Sequence, residues 1–192
     1  MLAAGFVLVG GDSSRMGQDK ARLPWYSRSL VEYVAAEVLA AVGNVALVGA
    51  PERYRDLGLE LLPDLRLGCG PLAGIEAALA TGRGEWNLIV ACDMPGLTQS
   101  TITPLLEEAR LGRSADCVAA RDSDGRLQPL CAVYRNTCLA TVRQGLEAGQ
   151  LKLHRLLENL HTTPVEVGHQ IWNVNTPEEW KEWRLKKHIR TT

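Results

Sequence analysis

The chain lacks a charge excess of either sign. Lysine and arginine together number 21 against 22 aspartates and glutamates, a formal net charge of −1. A general binder of nucleic acid or of membrane surfaces usually carries a strong basic excess or a basic face, so neither partner is expected. No apolar run approaches the roughly 20 residues of a membrane span, and Met1-Leu-Ala-Ala-Gly-Phe has neither the basic start nor the cleavage region of a signal peptide. The expected location is the cytoplasm. The five cysteines, Cys69, Cys92, Cys117, Cys131 and Cys138, are odd in number and form no C-x-x-C pair, which argues against a disulfide framework or a zinc site. Cys92, Cys117 and Cys131 sit in apolar, strand-like segments and read as buried structural thiols. His154, His161, His169 and His188 show no short-range ligand spacing. Internal repeats, low-complexity tracts and Pro/Ser-rich linkers are also missing, so residues 1–192 read as one domain.

What is present is an alternation of strand-like and helix-like segments. A chain of 192 residues with 46% hydrophobic content can bury roughly 70% of its extended surface in one core. Strands are expected at Gly5–Val9, Val45–Val48, Glu60–Leu62, Asn87–Ala91, Cys117–Ala120 and Leu130–Tyr134, with helices in the gaps. Ser29 with Glu32 forms a capping box before the helical face Val31, Val34, Ala35 and Val38, in a helix running to about Ala41. Pro71 suits the first position of a second helix, and Thr101 opens a third through Leu105 and Leu106. Thr176-Pro-Glu-Glu179 combines an N-cap, a proline at the first helical position and a glutamate at the third, ahead of a basic, tryptophan-bearing final helix. Asp122-Ser-Asp-Gly125 reads as a hairpin turn rather than a metal site. The pattern predicts a three-layer α/β/α domain around a mostly parallel sheet.

The segment Gly5-Phe-Val-Leu-Val-Gly-Gly-Asp-Ser-Ser-Arg-Met-Gly-Gln-Asp-Lys20 carries most of the functional information. An apolar strand runs into a glycine-rich loop holding Arg15 and ending at Lys20. Gly10 and Gly11 allow backbone N–H groups to approach a polyphosphate without a Cβ clash. Arg15 can grip two phosphate oxygens through its planar fork, while Lys20 acts as a mobile point charge. The loop is not a P-loop, because Gly17 is followed by Gln18, and it is not the G-x-G-x-x-G dinucleotide fingerprint. Gly68-Cys-Gly-Pro-Leu-Ala73 satisfies G-x-G-x-x-A formally. Its separation from the preceding strand, and the donor missing at Pro71, make it a loop bordering a ligand rather than a pyrophosphate grip.

Asp93 follows the apolar strand Leu88-Ile-Val-Ala91. Its carboxylate is therefore expected at the carboxyl edge of the sheet, where open α/β folds collect ligands. Spacing alone serves a metal ligand and a turn cap equally well.

The loop resembles the signature L-x-G-G-x-S-x-R-M-G-x-D-K of nucleotidyltransferases with the nucleotide-diphospho-sugar transferase fold, and within them the molybdenum cofactor guanylyltransferases. The likeness spans the chain through Gly70-Pro-Leu-Ala-Gly74, Cys92-Asp-Met-Pro95, Gln128-Pro129 and Asn173-Val-Asn-Thr-Pro177, in the family's order. It implies a Rossmann-like fold and transfer of GMP from GTP to molybdopterin with release of pyrophosphate. It also implies Mg2+ held by Asp93, with Arg15, Lys20 and Asp93 as the catalytic groups. Leu8, Val9, Gly10 and Gly11 correspond to the loop that meets the guanine nucleotide, Asp64 to a nucleotide-contacting acid, and Asn173 and Asn175 to contacts with the pterin substrate. Read as residues alone, Leu8 is a core position, Asp64 shapes a turn and Asn175 caps a helix equally well. Transient contacts with proteins of molybdenum cofactor synthesis and with recipient molybdoenzymes are further implied.

Three departures from the family pattern stand out. Val9 replaces the usual alanine, Ser27-Arg-Ser-Leu30 replaces a glycine-lysine pair, and Val48 occupies a position that is often polar. The alternatives left open are a molybdopterin cytidylyltransferase, a sugar-phosphate nucleotidyltransferase, and a nucleotide sensor that retains the fold without turnover.

Overall fold

The computed structural model describes residues 2–10, 17–112 and 114–189 of the chain, with side chains as far as Lys186. The first strand, β1 (Ala3–Leu8), is buried from Ala4 onward, as expected of a parallel strand covered on both faces. The remaining elements follow as β2 (Pro24–Trp25), β3 (Arg28–Ser29), α1 (Leu30–Val42), β4 (Ala46–Val48), β5 (Glu60–Leu62), α2 (Pro71–Ala80) and β6 (Trp86–Ala91). Next come α3 (Gln99–Arg110), β7 (Cys117–Arg121), β8 (Leu127–Arg135), α4 (Leu139–Glu147), α5 (Leu153–Glu158), β9 (Thr162–Glu166) and α6 (Pro177–Ile189). Seven strands form one sheet in the order β5-β4-β1-β6-β8-β7-β9. Only β8 runs antiparallel to its neighbours, β6 and β7, so the expected mostly parallel α/β sheet is what the chain forms.

Alternation along the strands divides the core into two layers. Val7, Val9, Leu88 and Val90 join the cluster packed with Val31 and Val34 of α1 and Ile102 and Leu105 of α3. Ala4, Phe6, Leu8 and Ile89 face the cluster that holds Leu72 and Ile75 of α2 and Val142 of α4. Because Val9 belongs to the first layer and is buried there, its extra bulk over alanine is spent in that core.

The predicted capping box starts α1, with Glu32 Oε2 accepting the Ser29 N–H at 2.7 Å. Pro71 is the first residue of α2. The third helix begins two residues before the expected Thr101, because extended Thr98 is its N-cap and Thr101 lies inside the first turn. The strand expected at Leu130 begins earlier, at Leu127. Its register against β7 shifts between Ala119 and Ala120, so Pro129 falls where no ladder donor is needed. Edge strand β9 was not expected from the sequence: Pro164 interrupts it, and edge pairing to β7 alone tolerates that. All five cysteines are free, and burial pushes the Cys131 thiol up to about 12.

Candidate active site

The strand order reverses direction around β1. Chain segments leave it toward β4 and β5 on one side and return to β6 on the other, which opens a crevice at the carboxyl ends of these strands. A cavity of about 530 Å³ occupies that crevice. Leu8, Val9 and Gly10 from the end of β1, Asp64 after β5, Asp93 after β6, and Lys20 line it. Gly68, Gly70 and Pro71 border it as well, the role expected of that loop. Gly10 adopts φ +89°, and a Cβ there would stand 3.0 Å from the backbone nitrogen of Ala50. The close approach of these two loops therefore requires glycine.

Lys20 opens a single 3-10 turn capped by Asp19, whose Oδ1 accepts the Ala21 N–H at 3.1 Å. The second Asp19 oxygen accepts the Tyr54 hydroxyl at 2.8 Å and pairs with Arg53 at 2.6 Å. Tyr54 is fully buried, and burial followed by its bond to Asp19 pushes the phenol well above its usual range. Asp19 thus fastens the turn that carries Lys20 to the segment after β4. Sequence reading missed it as a site residue, although it stands next to Lys20 in the signature.

From this turn the Lys20 ammonium donates to Asn175 Oδ1 at 2.8 Å and lies 3.4 Å from Asp93 Oδ2. The Asp93 side chain is only 18% exposed. Burial pushes its carboxyl above the usual range, against the opposing pull of Lys20. Two backbone bonds hold it in place: Cys92 N–H donates to Leu8 O at 3.1 Å, and Val174 N–H donates to Asp93 O at 2.9 Å. Asp93 Oδ1 is buried and, among the described residues, has no hydrogen-bond partner. A buried anionic oxygen left unpaired is costly unless a cation meets it. Among the described residues no group of three His, Cys, Asp or Glu side chains is clustered for a metal. Among the described residues the unpaired oxygen at the cavity is Asp93 Oδ1, a donor set that suits a hard divalent cation completing its shell with substrate phosphates and water.

Asn175 sits where α6 begins. Glu179 Oε2 accepts the N–H groups of Asn175 at 2.6 Å and Thr176 at 3.1 Å, while Thr176 Oγ1 accepts the Glu179 N–H at 3.2 Å. The predicted capping box is therefore Thr176 with Glu179, and the Asn175 side chain turns to Lys20 instead of capping the helix. Asn173 does not line the cavity. It lies beside it, half-buried, its Nδ2 3.5 Å from Gln128 Oε1. Asp64 is partly desolvated, which pushes its carboxyl upward. Val48 is buried at the cavity wall. Arg15 and Gly11 lie outside the described residues.

Residues 5–164 match a family model described as a MobA-like NTP transferase domain. A Deinococcus radiodurans protein described as "Probable molybdenum cofactor guanylyltransferase" is 38% identical over 92% of this chain and 91% of its own length. A Flavobacterium johnsoniae protein with the same description is 32% identical over 91% of this chain and 87% of its own. Among solved structures, molybdopterin-guanine dinucleotide biosynthesis protein A from Archaeoglobus fulgidus superposes with a TM-score of 0.80 at 22% identity, covering 98% of this chain and all of that one.

Proposed function

This chain belongs to the family of MobA-like NTP transferase domains, and from that membership we propose that it transfers GMP from GTP to molybdopterin, releasing pyrophosphate. The observation that carries the reading is the meeting of Lys20 and Asp93, which line the nucleotide-sized cavity, with Asn175, from three distant parts of the chain. The relatives named as guanylyltransferases match over most of their length, which favours guanine over cytosine as the base.

In this reaction an oxygen of the acceptor's phosphate forms a bond to the α-phosphorus of GTP. The bond from that phosphorus to the bridging oxygen breaks, and pyrophosphate leaves with the electron pair. A phosphate nucleophile is already deprotonated near neutral pH, so the site supplies no general base. Val9 and Gly10, at the end of β1, would meet the base and ribose, and Asp64, which lines the same cavity, would contact the nucleotide. Arg15 belongs to the same signature loop and adds positive charge against the polyphosphate. Lys20, on the turn that Asp19 caps and with its ammonium donating to Asn175, places positive charge where two anions must approach each other. Asp93 would hold Mg2+ through its unpaired Oδ1, and the bound ion would offset the triphosphate charge and that of the leaving pyrophosphate. Asn175 couples this charge centre to the Asn173 segment, where the pterin end of the acceptor docks.

The test is product analysis. Incubated with GTP, molybdopterin and Mg2+, the native chain should yield a species with the mass of the guanine dinucleotide. Hydrolysis of GTP without that species would contradict the reading.

A further inference from the structure

Asp122 is 3% exposed, yet it lies at the end of β7 in a segment whose sequence signals only a turn. Its Oδ1 accepts the backbone N–H groups of Asp124 and Arg126, both at 3.0 Å. The hairpin closes around the carboxylate through Asp122 N–H to Arg126 O at 3.1 Å and Gly125 N–H to Asp122 O at 2.9 Å. One oxygen is thus committed to the turn, and the other, Oδ2, accepts from Gln128 Nε2 at 2.7 Å.

A carboxylate can only accept, so this contact fixes which way the Gln128 amide points. The NH2 of Gln128 must face Asp122, which turns Gln128 Oε1 toward Asn173. Gln128 Oε1 in turn takes the Asn173 Nδ2 group at 3.5 Å. The orientation of Asn173 follows: its amide nitrogen, and not its oxygen, is the end turned to Gln128. Asn173 also reaches the charge centre, because its backbone carbonyl accepts from Asn175 Nδ2 at 3.4 Å, and Asn175 holds Lys20.

We infer that Asp122 and Gln128 are positioning residues that fix the hydrogen-bond polarity of the acceptor subsite, so that Asn173 presents an oxygen to an N–H donor of the acceptor's heterocycle. The inference rests on the molybdopterin reading above. The pterin ring of molybdopterin carries amide and amino N–H groups, which an acceptor-only contact selects over ring oxygens or nitrogens of similar shape. Asp122→Asn inverts the constraint at nearly constant volume: the amide oxygen stays with the N–H groups of Asp124 and Arg126, so the amide NH2 faces Gln128 and takes its oxygen instead. Gln128→Leu deletes the relay while leaving the Asp122 turn bonds in place.

The experiment measures steady-state kinetics of native chain, Asp122→Asn and Gln128→Leu with GTP and molybdopterin varied in turn, alongside thermal melting. In both variants the expected result is a rise of about tenfold in KM for molybdopterin with KM for GTP unchanged, the loss of one oriented hydrogen bond. A merely structural role would lower the melting temperature and weaken both substrates together, which would overturn the inference. So would variants that keep the native KM for molybdopterin. A native chain inert toward molybdopterin would instead overturn the reading on which the inference rests.

Discussion

Lys20 Nζ lies 3.4 Å from Asp93 Oδ2 although 73 residues separate them in the chain. Both side chains are mostly shielded, at 18% exposure each. Such a pair in the nucleotide cavity serves charge placement more than stability, because burying two ions costs about as much as their attraction returns.

Replacing the ammonium separates these two contributions. Lys20→Ala should lower kcat by about a hundredfold or more, the scale of losing one preorganised electrostatic contact to a transferring phosphoryl group. The far-ultraviolet circular dichroism should stay native. Lys20→Arg should recover only part of the rate, since a planar fork cannot follow the same point as a compact ammonium. Steady-state kinetics of the two variants check this.

Asp93→Asn should give opposite effects on turnover and stability. The buried, partnerless Oδ1 and the upward push on the carboxyl mean that the charged form is held at a cost. Neutralising it should leave the melting temperature equal to or above native while abolishing metal-stimulated turnover, the trade expected where function keeps a strained charge. Thermal melting and a Mg2+ titration of the rate, run on the same preparation, measure both.

The capping box of α6 is tied to the site through Asn175. Glu179→Ala removes the acceptor for the N–H groups of Asn175 and Thr176. The expected cost is about 1 kcal/mol of stability, as for a lost helix cap. It should come with a several-fold rise in KM for molybdopterin and little change for GTP. Urea unfolding and substrate-by-substrate kinetics separate the two parts.

Glu32 provides a pH signature away from the site. Its bonds to the Ser29 hydroxyl and N–H hold the carboxyl below its usual 4.5. A group with a depressed folded value stabilises above its unfolded value, and that stabilisation is lost as pH falls through the folded value. Glu32→Gln should therefore cost up to about 1 kcal/mol at neutral pH, and the gap from native should close on acidification. Melting curves of both proteins across that interval would show it.

Much of the scaffold was legible because its signals are local. The apolar strands β1 and β6, the Ser29–Glu32 and Thr176–Glu179 boxes and Pro71 each announce themselves within a few residues. Asp93 was legible as a residue at a strand's carboxyl end, and Lys20 through its loop. The contacts between them were not, since Lys20 meets Asn175 across 155 residues and only the sheet order decides which loops share an edge. Asp122 was read as a turn former because an Asp-Gly turn is usually exposed. Its burial comes with the closing of the hairpin around the carboxylate, which takes two backbone N–H groups and the Gln128 amide. Strand β9 escaped because its residues, Thr-Thr-Pro-Val-Glu, show neither a clean alternation nor an apolar run. Edge pairing there is a property of the sheet rather than of the segment.

GMP transfer stands or falls on the initial rate of pyrophosphate release with GTP, CTP, ATP and UTP in turn, each with molybdopterin and Mg2+. Release with GTP should stand well above that with the other three and be lost in Asp93→Asn. Preference for CTP, or tight GTP binding with no release at all, would contradict GMP transfer.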